Sequence, residues 1–171
     1  MTSVMLVLEL NRLTLHPVSP ADGDFLVAHW SDQRIRRFLF DATPAVPDEI
    51  VQAITDSVRD FATVGYGLWL IRPLGSHPVG AVGLRRLDDL GLEVFYSLKP
   101  ASWGSGYATE AAGGVLDYAL GPLGLTEVFA EVDAGNAASA AVIERLGMTA
   151  LATVPGEFGP IVRYRKTRNN T

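Results

Sequence analysis

The chain has 171 residues, no cysteine, three histidines and a formal net charge of −5. That length suits one domain over residues 1–171 that buries about 70% of its unfolded surface. The composition excludes disulfides, thiolate zinc sites and an acyl-cysteine route, argues against broad nucleic-acid affinity, and leaves no run of 18 apolar residues to span a membrane.

The opening stretch Val4 to Leu8 is too short for a signal peptide and lacks a basic flank, which with the missing cysteines points to the cytoplasm. Leu8 to Leu15 alternates as a strand. Ser19 is placed to cap a helix over Pro20 to Trp30, with proline at its first position. Gln33 to Leu39 reads as a short helix, Ala42 to Val46 as a loop, and Pro47 to about Thr63 as a longer helix. Leu68 to Arg72, Val79 to Arg86 and Leu92 to Leu98 read as strands of a meander, with turns at Pro73 to Pro78 and at Asp88-Asp89 with Gly91. Gly106 to Ala119 is a helix ended by Gly121-Pro122. Its small residues Ala108, Ala111, Ala112 and Ala119 allow close approach to a sheet. Thr126 to Val132 is a strand. Asn136 caps a helix that stops at Gly147. Met148 to Val154 and Ile161 to Lys166 close the sheet.

The run Trp103-Gly104-Ser105-Gly106-Tyr107-Ala108-Thr109-Glu110-Ala111 lies between a strand and a helix. Free backbone N–H groups and the helix dipole favour an anion there. Two glycines let a ligand come close to the backbone. The same two glycines also fit an ordinary tight turn. The run is not a dinucleotide fingerprint, because Thr109 stands where a third glycine is needed, and it is not a P-loop, because no lysine follows Gly106. In the Asn136 helix, Ser139, Val142, Ile143 and Leu146 share one face. Ser139 there is either a close-packed structural serine or a hydroxyl aimed at a site. His16, His29 and His77 show no metal-ligand spacing and read as structural. The cluster Arg163, Arg165, Lys166 and Arg168 reads as a solvated edge strand and tail.

Taken together, these segments resemble the GNAT superfamily of acyl-CoA-dependent N-acyltransferases. Within it they look most like the ribosomal-protein N-terminal (alanine/serine) acetyltransferase branch. The resemblance rests on Asn11 to Pro17, Ala28 to Asp32, Glu93 to Pro100, Trp103 to Ala111, and Asn136-x-x-Ser139 leading to Met148. It covers nearly the whole chain in order. It implies an α/β (α+β) fold: a mixed, mostly antiparallel sheet of six to seven strands, two central strands splayed apart, and about four flanking helices. It implies acetyl-CoA as co-substrate, no metal, and direct transfer of the acetyl group to an amine. By similarity, the pyrophosphate sits on Gly104, Ser105, Gly106, Tyr107 and Ala108, with Trp103 beside the turn and Thr109 adding a hydroxyl. The pantetheine amides pair with backbone near Tyr96 and Leu98, and Asn136 bonds the cofactor from the far side.

Glu93 is the first candidate for the base that deprotonates the amine through water. It reads equally as a structural salt bridge or an exposed strand end. Asp133 is a further candidate base. By the same resemblance, Ser139 is the candidate donor to the departing thiolate, or the partner that orients the donor. Many relatives carry a tyrosine four residues later, where this chain has Ile143. Ser105 also departs from the pattern, since a basic residue is frequent inside the turn. Glu110 is a first-turn acid that complements the helix dipole. The acceptor is expected to be a protein or peptide N-terminus. Alternatives are a small amine such as a polyamine, amino acid or aminoglycoside, and a non-catalytic acyl-CoA-binding module. The branch allows a homodimer, without a heptad or apolar patch in this chain to argue for one.

Overall fold

The computed structural model describes residues 6–35, 47–87, 90–156 and 159–168. Eight strands form one sheet in the order β1-β2-β3-β4-β5-β6-β8-β7. They are β1 (Leu8–Glu9), β2 (Leu13–Pro17), β3 (Leu68–Pro73), β4 (Gly80–Leu87), β5 (Gly91–Leu98), β6 (Glu127–Asp133), β7 (Thr149–Gly156) and β8 (Gly159–Thr167). Among the described residues, four complete α-helices flank it: α1 (Gly23–Trp30), α2 (Pro47–Thr63), α3 (Tyr107–Leu120) and α4 (Ala137–Arg145). This is the mixed α/β fold expected, with one strand more than expected.

The extra strand comes from the N-terminus. Leu10 N–H bonds to Leu13 O (2.8 Å), so Asn11 and Arg12 turn the chain and split the expected Leu8 to Leu15 strand into a hairpin. Asn-Arg lacks the glycine that usually marks such a turn, so alternation alone reads straight through it. The helix expected from Pro20 also divides. Ser19 N–H donates to Asp22 Oδ2 (2.8 Å) over a 3₁₀ turn at Pro20–Asp22, and α1 starts at Gly23. The expected Gln33 to Leu39 helix begins at residues 33–35. Its remainder, the Ala42 to Val46 loop and Asp88-Asp89 lie outside the described residues.

Two cores sandwich the sheet. Leu26, Trp30, Ile50 and Ile54 of α1 and α2 meet Leu68, Leu70 and Ala81 on one face. Ala111, Ala112, Val115, Leu116 and Ala119 of α3, with Ile143 of α4, meet Trp69, Val82, Val94 and Val128 on the other. Burying aliphatic side chains on both faces supplies most of the stability, at about 25 cal/mol per Å² of apolar area.

The basic cluster is not on an edge strand. The final hairpin inserts β8 between β6 and β7, so β7 is the edge. Arg163 pairs with Glu131 (2.9 Å), Lys166 Nζ donates to Leu146 O (2.7 Å), and Arg168 Nε donates to Leu120 O (2.8 Å). These cations tie the last strand to its neighbours and to two helix ends. The decisive feature of the sheet is the β5–β6 junction. It is the parallel pairing, and its register is the single pair Glu93↔Phe129. Beyond Glu93 the two strands diverge.

Candidate active site

The divergence opens a cleft of about 860 Å³ between β5, β6, the turn before α3, and α4. Alternation along β5 gives it two sides. Val94 and Leu98 are buried toward α3, with Tyr96 packed beside them. Phe95 packs on the other core, and Ser97 meets α1 through His29. Of the residues singled out from the sequence, Glu93, Tyr96, Leu98, Trp103, Gly104, Gly106, Tyr107, Ala108, Thr109, Asn136 and Ser139 all line this cleft. Asp133 does so as well, whereas Ser105 is exposed outside the lining.

The turn before α3 has the form an anion needs. Gly104 (φ 79°) and Gly106 (φ 80°) are both left-handed, a conformation costly for a residue with a Cβ. A Cβ at Gly104 would meet nothing within 4 Å, so the space over it is open. Gly106 is the N-cap of the 14-residue α3. Trp103 is half-exposed and fixed by its Nε1–H, which donates to Leu98 O (2.9 Å). Thr109 Oγ1 is buried in the first turn and has no hydrogen-bond partner among the described residues. A buried hydroxyl of that kind calls for a ligand or water. These features fit a phosphate-bearing group.

Across the cleft, Asn136 Oδ1 accepts the Ser139 N–H (3.1 Å) and so caps α4 as expected. Ser139 Oγ lies 2.7 Å from Tyr96 Oη, which reaches it from β5. Burial pushes the Tyr96 phenol above its ordinary pKa, against a smaller opposing effect of the Ser139 bond, so it stays protonated at neutral pH. Ile143, at the position of the missing tyrosine, is 1% exposed and packs in the core. A phenol is thus present in the cleft after all, delivered by a strand. The sequence reading had assigned Tyr96 only its backbone.

Glu93 sits where β5 and β6 part. Its side chain is 7% exposed and accepts Arg85 Nε at 2.7 Å. Arg85 is its register partner on β4 and lies over the Phe95 ring at 4.4 Å. Glu93 is therefore both a cleft residue and half of a salt bridge. Arg85 was legible in principle. The expected hairpin between the two strands, which closes on the pair Leu87↔Gly91, sets Arg85 opposite Glu93.

On the opposite side, His29 is a core residue. Its Nε2 shares a hydrogen bond with Ser97 Oγ (2.9 Å), and its ring stacks on Phe25. Burial, followed by the charge of Lys99, lowers its pKa from 6.5 to about 4. Among the described residues no group of three or more His, Asp or Glu is arranged to hold a metal, and no helix is long and apolar enough to cross a membrane.

A cleft between parted parallel strands, closed at one end by a glycine turn and a helix N-terminus, is the arrangement that the family resemblance implies. The acetyltransferase (GNAT) domain description matches residues 12–149. The chain belongs to the GNAT acetyltransferase family. It is similar to FsC-acetyl coenzyme A-N(2)-transacetylase of Aspergillus fumigatus, at 29% identity over 178 aligned residues, 92% of this chain and 74% of that protein. Its fold is similar to that of an acetyltransferase from Agrobacterium tumefaciens (TM-score 0.82, 24% identity, 97% of this chain and 96% of that one). It is also similar in fold to a ribosomal-protein-S5-alanine acetyltransferase from Vibrio fischeri (TM-score 0.80, 15% identity, 96% and 98%). This GNAT chain is an acetyl-CoA-dependent N-acetyltransferase.

Proposed function

We propose that the enzyme acetylates the α-amine at the N-terminus of a protein or peptide, as members of the ribosomal-protein branch do. The observation that carries this acceptor class is the pairing of Glu93. Its carboxylate faces the cleft but is tied to Arg85 at 2.7 Å. An acceptor that needs little help to lose its proton suits a carboxylate that the sheet already engages. An α-amine near pKa 8 needs only about 1.4 kcal/mol to become neutral at pH 7, whereas an alkylamine near 10.4 needs about 4.6. The α-amine therefore asks less of Glu93, acting through water, than the alkylamine does.

Acetyl-CoA supplies the activated acyl group. Gly104, Gly106 and the first N–H groups of α3 bind its diphosphate, and Thr109 Oγ1 gains a partner there. Past Glu93, the β5 backbone at Tyr96 and Leu98 is turned from β6 and pairs with the pantetheine amides. A backbone N–H on that strand stabilises the negative charge that grows on the thioester oxygen. Holding the two reactants together contributes about 7–11 kcal/mol. Ser139 gives a proton to the sulfur as the C–S bond breaks, Tyr96 Oη replaces it along the 2.7 Å bond, and water in the cleft returns a proton to the phenol, so that both hydroxyls are restored when CoA thiol and the N-acetyl product leave.

A second acceptor class, a small-molecule amine, is favoured by the fungal relative named for N(2)-transacetylation. Release of CoA thiol, with N-terminal peptides and small amines as separate acceptor pools, decides between them. Turnover with peptides that is lost in Ser139→Ala supports the N-terminal assignment. Turnover with small amines alone overturns it.

A further inference from the structure

We propose that Arg12 is a positioning residue for the acyl donor, a lock from the β1–β2 turn that sets the phosphate-binding turn and neutralises the carboxylate beside it. This rests on the cleft being the acyl-CoA site. Arg12 is 94 residues before Gly106 in sequence, and four contacts bring it to that turn. Its Nη1 donates to Ser105 O (2.7 Å), and its Nε donates to Glu110 Oε1 (2.7 Å). Its backbone N–H donates to Glu110 Oε2 (2.7 Å), and its guanidinium lies over the Tyr107 ring at 5.0 Å. Its Nη2 is 3.1 Å from where a Cβ on Gly106 would stand.

Two consequences follow. The first is orientation. In a planar trans peptide, the carbonyl of one residue and the N–H of the next point in opposite directions. Arg12 holds the Ser105 carbonyl on the outer side, and Ser105 is outside the cleft lining while Gly106 is part of it. The Gly106 N–H is thereby turned toward the cleft, into line with the first amides of α3. A flip of that peptide would present a carbonyl oxygen to an anion instead. The second consequence is charge. Glu110 stands in the first turn of α3 with its side chain 16% exposed. An uncompensated carboxylate there competes with a diphosphate for the positive helix end. Arg12 neutralises it through two hydrogen bonds and keeps its own side chain 47% exposed at the turn. Ser105 supplies no charge inside the turn, so an unneutralised Glu110 would stand there unopposed.

The test compares ligands with and without the diphosphate on the full-length chain. Calorimetry measures CoA, and NMR titration measures pantetheine, which lacks the nucleotide and diphosphate. Removing a charged hydrogen-bond donor that orders the turn is expected to weaken CoA about tenfold or more in Arg12→Gln. Pantetheine affinity is expected to change less than about twofold. Arg12→Lys, which keeps the charge but cannot hold Ser105 O and Glu110 together, is expected to fall between. Glu110→Gln is expected to bind CoA no worse than wild type, and to shrink the loss caused by Arg12→Gln when the two are combined. An equal loss for CoA and pantetheine, or unchanged CoA affinity in Arg12→Gln, overturns the lock. Absence of CoA binding in the wild-type chain overturns the donor site itself, which is a separate result.

Discussion

Mild acid should destabilise this enzyme through His29, and the size of the effect follows from its surroundings. The imidazole is buried against Phe25 and Ser97, with Lys99 close enough to oppose a second positive charge. Its pKa is about 4 in the folded chain and 6.5 as the ordinary value. Between those values the unfolded chain binds the proton and the folded chain does not, so stability falls as pH falls. Above pH 6.5 the ring is neutral in both states and costs nothing. Below about 4 it is protonated in both, and the loss stops growing. At about 1.4 kcal/mol per pH unit the full loss is about 3 kcal/mol, of which about 2 kcal/mol is reached by pH 5. Urea unfolding at pH 7.5 and pH 5.0, on the wild type and on His29→Gln, isolates this share. Glutamine can keep a hydrogen bond to Ser97 and has no proton to take up. The wild type is expected to lose about 2 kcal/mol more than the variant across that interval. Parallel losses in the two proteins, or a His29 ring resonance titrating near 6.5, would refute the reasoning.

Three further outcomes are expected. Ser139→Ala and Tyr96→Phe should each lower kcat by about 10²-fold at unchanged CoA affinity, and the double variant should lose little more, because the two hydroxyls act as one proton path; steady-state kinetics with calorimetry checks both points. Arg85→Ala removes the 2.7 Å ionic partner of a buried carboxylate and should cost about 2 kcal/mol in urea unfolding, with partial recovery in Arg85→Lys. Gly104→Ala and Gly106→Ala should each cost about 1–2 kcal/mol from the left-handed backbone alone. Gly106→Ala should also disturb the Arg12 contact, since its Cβ meets Arg12 Nη2 at 3.1 Å, whereas a Cβ at 104 meets nothing in the free chain and enters the space left for the diphosphate; both should weaken CoA, and melting and calorimetry together separate backbone strain from lost binding.

The parts of the fold legible in the sequence are those governed by local rules. The strand Leu92 to Leu98, the helix after Gly106 and the Asn136 cap are set by alternation, by a left-handed glycine and by one side-chain bond. Each was found within a residue or two of its place. What was missed depends on pairing across distance. The Asn11-Arg12 turn carries no glycine, so the hairpin shows only once Leu8 is seen opposite Leu15. By sequence order β8 reads as an edge, and the final hairpin places it beside β6. Arg12 reaches Glu110 across 98 positions, and no local spacing predicts that contact. The hydroxyl of Tyr96 is the same kind of case. Its strand was read correctly, but its partner Ser139 lies 43 residues on.

The site also depends on which way β5 is phased, and that connects sequence period to chemistry. Tyr96 and Leu98 belong to the face shared with α3 and α4, where the donor is expected. Phe95 and Ser97 belong to the face shared with α1, where His29 meets the strand. Because side chains alternate, a one-residue slip of β5 would exchange the two sets. Tyr96 would leave Ser139, and Ser97 would leave His29. The register is pinned on the β4 side by eight consecutive pairs from Gly80↔Leu98 to Leu87↔Gly91, including the ionic pair Arg85↔Glu93. On the β6 side it is pinned by one pair only. The strand is thus held firmly by one neighbour so that it can be released from the other. That asymmetry makes the cleft, and the Glu93–Arg85 pair stands at the point where holding ends and opening begins. A carboxylate in that position serves the sheet and faces the cleft at once, so its ion pair is compatible with the role proposed for it toward the acceptor.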